Sequence, residues 1–143
     1  MTSINQVQEE IKDEFEILGS DRESTIYYIM ELGNGLPPFP EEARTDDHII
    51  KGCQSKVWLE AKEEEGKIVF LADSNTDITK GLISLLIRIL SGRTPDEILQ
   101  AELYFIEQIG MGNIIGSQRS NGLASMIKQM KLYALAFQSK LNA

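Results

Sequence analysis

The sequence predicts an α+β domain in which a small antiparallel β-sheet is covered by helices. Helical periodicity marks both ends of the chain, whereas the alternating pattern typical of strands is confined to the middle. Helices on either side of a central hairpin favour packing of helices onto a sheet. The 143 residues fit one domain, 1–143, which is long enough to bury a core without disulfides or metals.

Two helices are predicted at the N-terminal end. Ser3 and Gln6 have capping-box spacing, and Ser20 and Glu23 repeat it, so a second helix is expected to run to about Leu32. The apolar stripe of the first helix consists of Ile4, Val7, Ile11, Phe15 and Leu18. Helices with one apolar stripe are expected to pack on a core.

A β-hairpin is predicted in the middle of the chain. Prolines exclude helix or central strand over 36–40, and 41–54 is expected to be an extended loop with a short strand near its end. Residues 55–61 alternate in polarity, and 67–72 are apolar on both faces, as in a strand covered on both sides. The polar segment 63–66 then forms the turn between them.

The C-terminal half is predicted to be helical. Residues 77–90 are apolar enough for a buried helix, and 94–97 combine a cap, a proline and a matching glutamate at a helix start. A short helix is expected around 104–109, glycines predict a loop over 110–116, and the last helix is expected from Ser120. Its stripe is Leu123, Ile127, Met130, Ala134, Phe137 and Leu141.

Charge and composition exclude several function classes. The net charge is −8, from 22 acidic and 14 basic residues, which argues against nucleic acid and anionic membranes as partners. The longest apolar stretch, 82–90, is too short to span a bilayer, and the N-terminus shows no signal peptide. A single cysteine forms no intramolecular disulfide, so a reducing cytoplasm is the expected location.

Residues able to perform chemistry are scarce. The chain has one histidine, His48, and one cysteine, Cys53, which is too few for a structural zinc site, a redox cysteine pair or a thiolate-bound iron–sulfur cluster. No metal or cofactor site is therefore expected. A hydrolytic Cys53–His48 pair lacks a third orienting group, so His48 is better explained as a solvated loop residue.

Cys53 is the main candidate for chemistry. A free cysteine is commonly a small buried hydrophobe, but here the flanking residues 51–56 are polar and precede the strand. Gly52 is expected to give a flexible backbone, and the nearby cations Lys51 and Lys56 favour thiolate over thiol. This pattern predicts a reactive thiolate at a loop tip, which suits transfer of sulfur between proteins.

The residues around Cys53 also resemble a known family. Gly52-Cys53-Gln54-Ser55, followed by Val57-Trp58, is similar to the signature of the SufE family of cysteine desulfuration proteins. A second block, Ala72-Asp73-Ser74 with 78–82, and a third, 117–123 with Met126, follow in the family's order, and the proline-rich Leu36-Pro37-Pro38 before Cys53 also fits. The resemblance therefore covers nearly the whole chain.

The resemblance implies a SufE/IscU-like single domain that carries sulfur. In this family the acceptor cysteine, here Cys53, takes the terminal sulfur of a persulfide on a pyridoxal-phosphate-dependent cysteine desulfurase (SufS-like). It stimulates that enzyme and passes sulfur to an iron–sulfur scaffold (SufBCD-like). The pyridoxal phosphate belongs to the desulfurase, so no cofactor is implied on this chain. IscU-type scaffolds use several cysteines, whereas one cysteine indicates a carrier.

Five further residues are candidates for supporting Cys53 or contacting a partner: Arg119, Lys51, Gly52, Gln54 and His48. Arg119 matches the arginine of the third block, and it either supports the thiolate and partner or anchors its own loop by hydrogen bonds. The chain is thus interpreted as an accessory sulfur-transfer protein rather than a stand-alone enzyme. Two alternatives stay open, a module that regulates a desulfurase by docking alone and an independent cysteine hydrolase. Whether Cys53 is exposed or sheltered is left open.

Overall fold

Helices flank a β-hairpin in the computed structural model, which describes residues 2–19 and 21–142. The elements in chain order are α1 (Ile4–Ile17), α2 (Arg22–Gly33), β1 (Val57–Glu64), β2 (Lys67–Ser74), α3 (Asp77–Leu90), α4 (Pro95–Gln100), α5 (Phe105–Gln108), α6 (Met111–Ile115) and α7 (Ser117–Leu141). The sheet of the described residues has two antiparallel strands. The predicted α+β class with a small antiparallel sheet is therefore confirmed. No helix in the described ranges is both long and apolar enough to cross a membrane.

The first helix begins at the predicted capping box. Ser3 Oγ accepts a hydrogen bond from Gln6 N at 3.1 Å, and Gln6 Oε1 accepts one from Ser3 N at 2.8 Å. The second helix is present, but Asp21 occupies its N-cap position. The predicted cap, Ser20, lies outside the described residues.

The hairpin has longer strands and a tighter turn than predicted. Val57 pairs with Ser74 and Glu64 pairs with Lys67, so the polar residues at 63 and 64 lie within β1. Only Glu65 and Gly66 form the turn, with φ of 53° and 82°. Positive φ at both positions is typical of a type I′ turn, which matches the twist of the flanking strands and needs only two residues.

One face of the hairpin lies in the core. The prediction that β2 is covered on both faces was wrong, because its residues alternate between buried and half-buried. Helix α3 packs against β2, and the buried face joins α3 in one apolar cluster. The buried hairpin residues are Val57, Leu59, Ile68, Phe70 and Ala72.

Two predicted loops contain short helical segments. The segment 41–54 forms 3-10 turns at Glu41–Ala43 and Asp46–His48, and its predicted short strand is reduced to a bridge between Ile49 and Trp58. The glycine-rich segment 110–116 contains α6, because Gly110 and Gly116 have positive φ and only bound the helix.

The last helix begins earlier than predicted. Helix α7 starts at Ser117 rather than at Ser120, which places Gln118 and Arg119 on its first turn. Leu123, Met130 and Ala134 of the predicted stripe are buried, whereas Leu141 is 45% exposed. The long α7 therefore runs from the core to solvent, and its start faces the segment that carries Cys53.

Gly81 lets α2 and α3 approach closely. A Cβ atom at Gly81 would lie 1.9 Å from the backbone oxygen of Ile29. We expect Gly81→Ala to lower the free energy of unfolding by about 3 kcal/mol, since backbone atoms have to shift. Gly112→Ala is the matched control, because its Cβ would meet Ser120 Oγ at 3.6 Å, an ordinary contact. Urea unfolding checks both variants, and equal stability of the two would contradict this packing.

Candidate functional site

The Cys53 loop is closed at its base by the sheet. Ile50 N donates a hydrogen bond to Val57 O at 2.9 Å, and Ile49 forms a bridge with Trp58. These contacts fix residues 51–56, which we call the Cys53 loop, as a short excursion next to β1. The loop therefore leaves and returns at nearly the same point.

The second half of the loop is tied to the connection between β2 and α3. Lys56 O accepts hydrogen bonds from Ser74 Oγ at 2.8 Å and from Asn75 N at 3.2 Å, and Lys56 N donates to Asn75 Oδ1 at 3.0 Å. Ser55 Oγ lies 2.9 Å from Thr76 Oγ1 and accepts from Thr79 Oγ1 at 3.3 Å. This network explains why short polar residues follow β2.

Gly52 holds the loop against α7. Its φ is +94°, a conformation that glycine adopts without the penalty of a side chain. A Cβ atom at Gly52 would lie 2.4 Å from Ser125 Oγ. The predicted role of Gly52 as a flexible link is therefore too simple, because the position also requires a close approach to a helix.

The thiol of Cys53 is turned inward rather than displayed at a loop tip. Cys53 is half-buried, and its Sγ donates a weak hydrogen bond to Gly122 O at 3.5 Å. A Cβ atom at Gly122 would lie 3.4 Å from Sγ, at the edge of normal contact. The sequence left the exposure of Cys53 open, and in this conformation the thiol is half-buried beside Gly122 of α7.

A small cavity opens beside the thiol, and we call it the Cys53 cavity. Its volume is about 120 Å³. All three sequence blocks that resemble the SufE signature contribute to it. The lining residues are Cys53, Gln54, Ser55, Thr76, Ile78, Thr79, Leu82, Gln118, Arg119, Gly122 and Met126. The wall therefore combines apolar side chains with hydroxyl, amide and guanidinium donors.

Burial raises the pKa of the Cys53 thiol above its ordinary value. The lysines expected to favour the thiolate do not counter this effect. Lys51 and Lys56 are exposed, and neither lines the Cys53 cavity. The expectation of a lysine-stabilised thiolate was therefore wrong for this conformation, in which burial favours the thiol over the thiolate.

The other candidate residues fall into two groups. Gln54 and Arg119 line the Cys53 cavity together with the thiol, whereas Lys51 and His48 do not. The Nδ1 atom of His48 lies 3.0 Å from Thr45 Oγ1. The structure therefore does not bring His48 and Cys53 together as a hydrolytic pair. Among residues 2–19 and 21–142, no group of three or more His, Cys, Asp or Glu residues is placed to hold a metal ion.

Arg119 reaches the cavity from the first turn of α7. It is exposed, and its Nη1 donates to Ile115 O at 3.4 Å. It forms no ion pair within the described part of the chain. Its positive charge is therefore available to an anionic group at the cavity.

An ion-pair cluster supports the hairpin below the loop. Arg44 Nη2 lies 2.5 Å from Asp73 Oδ2, and its guanidinium stacks over the rings of Trp58 and Phe39. Burial opposes ionisation of Asp73, but hydrogen bonds from Arg44, from Ser74 N and from Lys80 lower its pKa below the ordinary value. Asp73 thereby helps to fix the strand end from which Ser74 binds the Cys53 loop.

Sequence reasoning missed the contacts that α7 makes with the loop. Gly122 is part of the third block, but nothing in the sequence identifies Cys53 as its neighbour. Ser125 gave no signal in a single sequence, because serine on a helix is ordinary. Both contacts depend on the position of α7 relative to the hairpin, which local patterns do not encode.

We expect the sheltered thiol to react slowly with iodoacetamide. Because burial raises the pKa of Cys53, the rate–pH profile of the folded chain should have its midpoint above the value of about 8.5 typical of free cysteine. Unfolding in urea should return the midpoint to about 8.5. Intact mass against time measures the rate, and a midpoint below 8.5 in the folded chain would contradict the burial.

Known proteins resemble this chain in sequence and in fold. The family model described as "SufE: Fe-S metabolism associated domain" matches residues 9–134. A SufE-like protein of Rhizobium meliloti is 36% identical over 136 residues, covering 92% of this chain and 94% of its own length. A SufE-like protein of Synechocystis is 36% identical over 110 residues, covering 77% of this chain and 69% of its own length.

Two further relatives extend the comparison. SufE-like protein 1 of Arabidopsis thaliana, described as chloroplastic/mitochondrial, is 37% identical over 113 residues, which are 78% of this chain and 30% of that protein. The solution structure of a hypothetical protein from Thermus thermophilus has a TM-score of 0.75 at 18% identity, covering 93% of this chain and 96% of the other, and so shares the fold. The chain therefore belongs to the SufE family, whose domain is associated with iron–sulfur metabolism.

Proposed function

We propose that Cys53 accepts sulfur as a persulfide from a pyridoxal-phosphate-dependent cysteine desulfurase and passes it on for iron–sulfur cluster assembly. The observation that carries this proposal is the single half-buried thiol beside a small cavity lined by all three family blocks. Family membership supports a role in iron–sulfur metabolism and an association with a cysteine desulfurase. The desulfurase is SufS-like and the recipient is a SufBCD-like scaffold in this proposal.

The transfer is a thiol exchange without net oxidation or reduction. The Cys53 thiolate attacks the outer sulfur of the donor persulfide, a new S–S bond forms at Sγ, and the old S–S bond breaks. The donor cysteine leaves as a thiolate and takes up the proton that Cys53 released. Because burial raises the pKa of Cys53, docking has to favour deprotonation before attack.

The Cys53 cavity has room for the transferred sulfur. Its volume of about 120 Å³ is well above the roughly 10–15 Å³ that a water-sized group requires. Hydroxyls of Ser55, Thr76 and Thr79 and the guanidinium of Arg119 line the same space. These donors suit a persulfide anion, and the partial enclosure limits its contact with other thiols. A reducing compartment such as the cytoplasm would keep Cys53 free between cycles.

The two alternative functions have less support. Regulation by docking alone makes no use of the cavity beside the thiol. A cysteine hydrolase needs a general base next to Cys53, but His48 lies outside the Cys53 cavity and pairs with Thr45. No observation on the described residues favours either one.

The mass of the intact protein tests the proposal. After incubation with a SufS-type desulfurase and cysteine, we expect the wild-type chain to gain the mass of one sulfur atom and to lose it on reduction. Cys53→Ser removes the accepting thiol and should gain nothing while keeping its melting temperature. Desulfurase stimulation by Cys53→Ser equal to that by wild type would instead support regulation by docking.

Arg119 provides a second test. We expect Arg119→Ala to slow sulfur uptake about tenfold, because loss of one charge-assisted hydrogen bond is worth roughly 1.5–3 kcal/mol. The melting temperature of the variant should stay close to that of the wild type, since the one hydrogen bond that the Arg119 side chain makes within residues 2–19 and 21–142, to Ile115 O, is long at 3.4 Å. A lowered melting temperature with unchanged uptake would show that Arg119 only anchors the start of α7.

A further inference from the structure

A groove adjoins the Cys53 loop but shares none of the residues that line the Cys53 cavity. It lies between the 3-10 turn Asp46–His48 and the middle of α7, and its volume is about 480 Å³. We call it the Lys51 groove. Its lining residues are Asp46, Asp47, Ile49, Lys51, Ser125, Lys128, Gln129 and Leu132.

The Lys51 groove combines exposed apolar surface with charges that lack partners. Leu132 is 48% exposed although it lies in the middle of a helix. The charged side chains of Asp46, Asp47, Lys51 and Lys128 are exposed, and none of them forms an ion pair within residues 2–19 and 21–142. Exposed apolar side chains beside charged ones are found at protein–protein interfaces, and free charges of both signs favour a partner with complementary charges.

The Lys51 groove lies close to Cys53 along the chain. Sulfur transfer requires the donor sulfur to reach Sγ of Cys53, and Lys51 is two residues away, at most about 7.6 Å between Cα atoms. A specific interface covers roughly 800 Å² on each partner. A donor protein that contacts Cys53 is therefore wide enough to cover the groove as well.

The groove is also in direct contact with the segment that carries the thiol. Ser125 lines the groove, and a Cβ atom at Gly52 would lie 2.4 Å from its Oγ. Lys51, which also lines the groove, directly precedes Gly52 in the chain. A side chain that enters the groove thus touches residues that hold the Cys53 loop.

We propose that the Lys51 groove is the docking site for the persulfide donor, a protein surface presenting an apolar side chain flanked by charged residues. The apolar side chain packs on Leu132 and Ile49, and its charged neighbours pair with Lys128 and the aspartates of the 3-10 turn. This inference rests on the proposed sulfur transfer and specifies which surface beside Cys53 the desulfurase uses.

A matched pair of leucines on α7 tests the docking site. Leu132 is 48% exposed and lines the groove, whereas Leu135 is 49% exposed and does not line it. Titration calorimetry against a SufS-type desulfurase should show a Kd at least tenfold weaker for Leu132→Asp, because a few anchor residues carry most of the binding free energy of an interface. Leu135→Asp should stay within about twofold of wild type, in line with the near-neutral contacts outside such anchors.

A matched pair of lysine variants tests the same groove independently, in case the leucine variants fail to fold. Lys128→Glu should weaken binding, whereas Lys140→Glu should not, because Lys140 is an exposed residue of α7 outside the groove.

Equal affinities within both pairs, with the wild type still acquiring sulfur, would overturn the groove as the docking site and leave the proposed function intact. Failure of the wild type to acquire sulfur would overturn the proposed function itself. If Leu132→Asp alters only self-association in sedimentation, the groove joins copies of this chain and the proposal is wrong.

Discussion

The site depends on the close contact between the Cys53 loop and α7. Two glycines make this contact possible. Gly52 leaves space for Ser125, and Gly122 leaves space for the thiol of Cys53. Because the helix covers the loop, one surface of the Cys53 cavity is built by α7, and the rest by the loop itself together with Thr76 and the first half of α3. A side chain at Gly52 would displace Ser125 Oγ and hold an unfavourable positive φ, whereas a Cβ atom at Gly122 would touch Sγ at an ordinary contact distance.

Contacts with α4 also fix the position of α7. Helix α4 packs against it, and Lys131 Nζ donates hydrogen bonds to Ala101 O at 2.6 Å and to Leu99 O at 3.4 Å. Leu99 lies in the last turn of α4 and Ala101 is its C-cap residue, so one lysine satisfies carbonyl groups that the helix end leaves unpaired. The geometry at Cys53 is therefore set by packing distant from it in sequence.

Sheltering of the thiol has two chemical consequences. Burial raises the pKa of Cys53, and the lower thiolate fraction limits reaction with oxidants and stray electrophiles because the thiolate is the nucleophile. The same enclosure places any added sulfur next to hydroxyl groups instead of bulk solvent. A carrier needs both properties, since a persulfide that meets a free thiol is discharged. Reactivity then depends on a partner that changes the environment of Cys53.

Local patterns predicted the elements well but not their contacts. The capping boxes at Ser3 and Thr94 set helix starts as expected, since both bonds of each box are local. The start of α7 was predicted three residues late, because Gly116 ends one helix and directly precedes the next. Arg119 was a candidate from the resemblance, and the earlier helix start explains how it reaches the cavity.

The chemistry of Cys53 was only partly predictable. Its identity as the one cysteine of the chain followed from composition, but its packing against Gly122 joins residues 69 positions apart in sequence. The influence of Lys51 was overestimated because sequence proximity does not show where a side chain points. The Lys51 groove gave no sequence signal, since its charged residues come from two distant segments.

The central claim is that the fold shelters sulfur on Cys53, and the lifetime of the loaded persulfide tests it most directly. The chain is charged with sulfur, separated from the desulfurase and mixed with glutathione, and the loss of the added sulfur mass is followed with time. The account predicts much slower loss from the folded chain than from the same chain unfolded in urea. Equal rates in the two states would contradict a sheltering role for the Cys53 cavity.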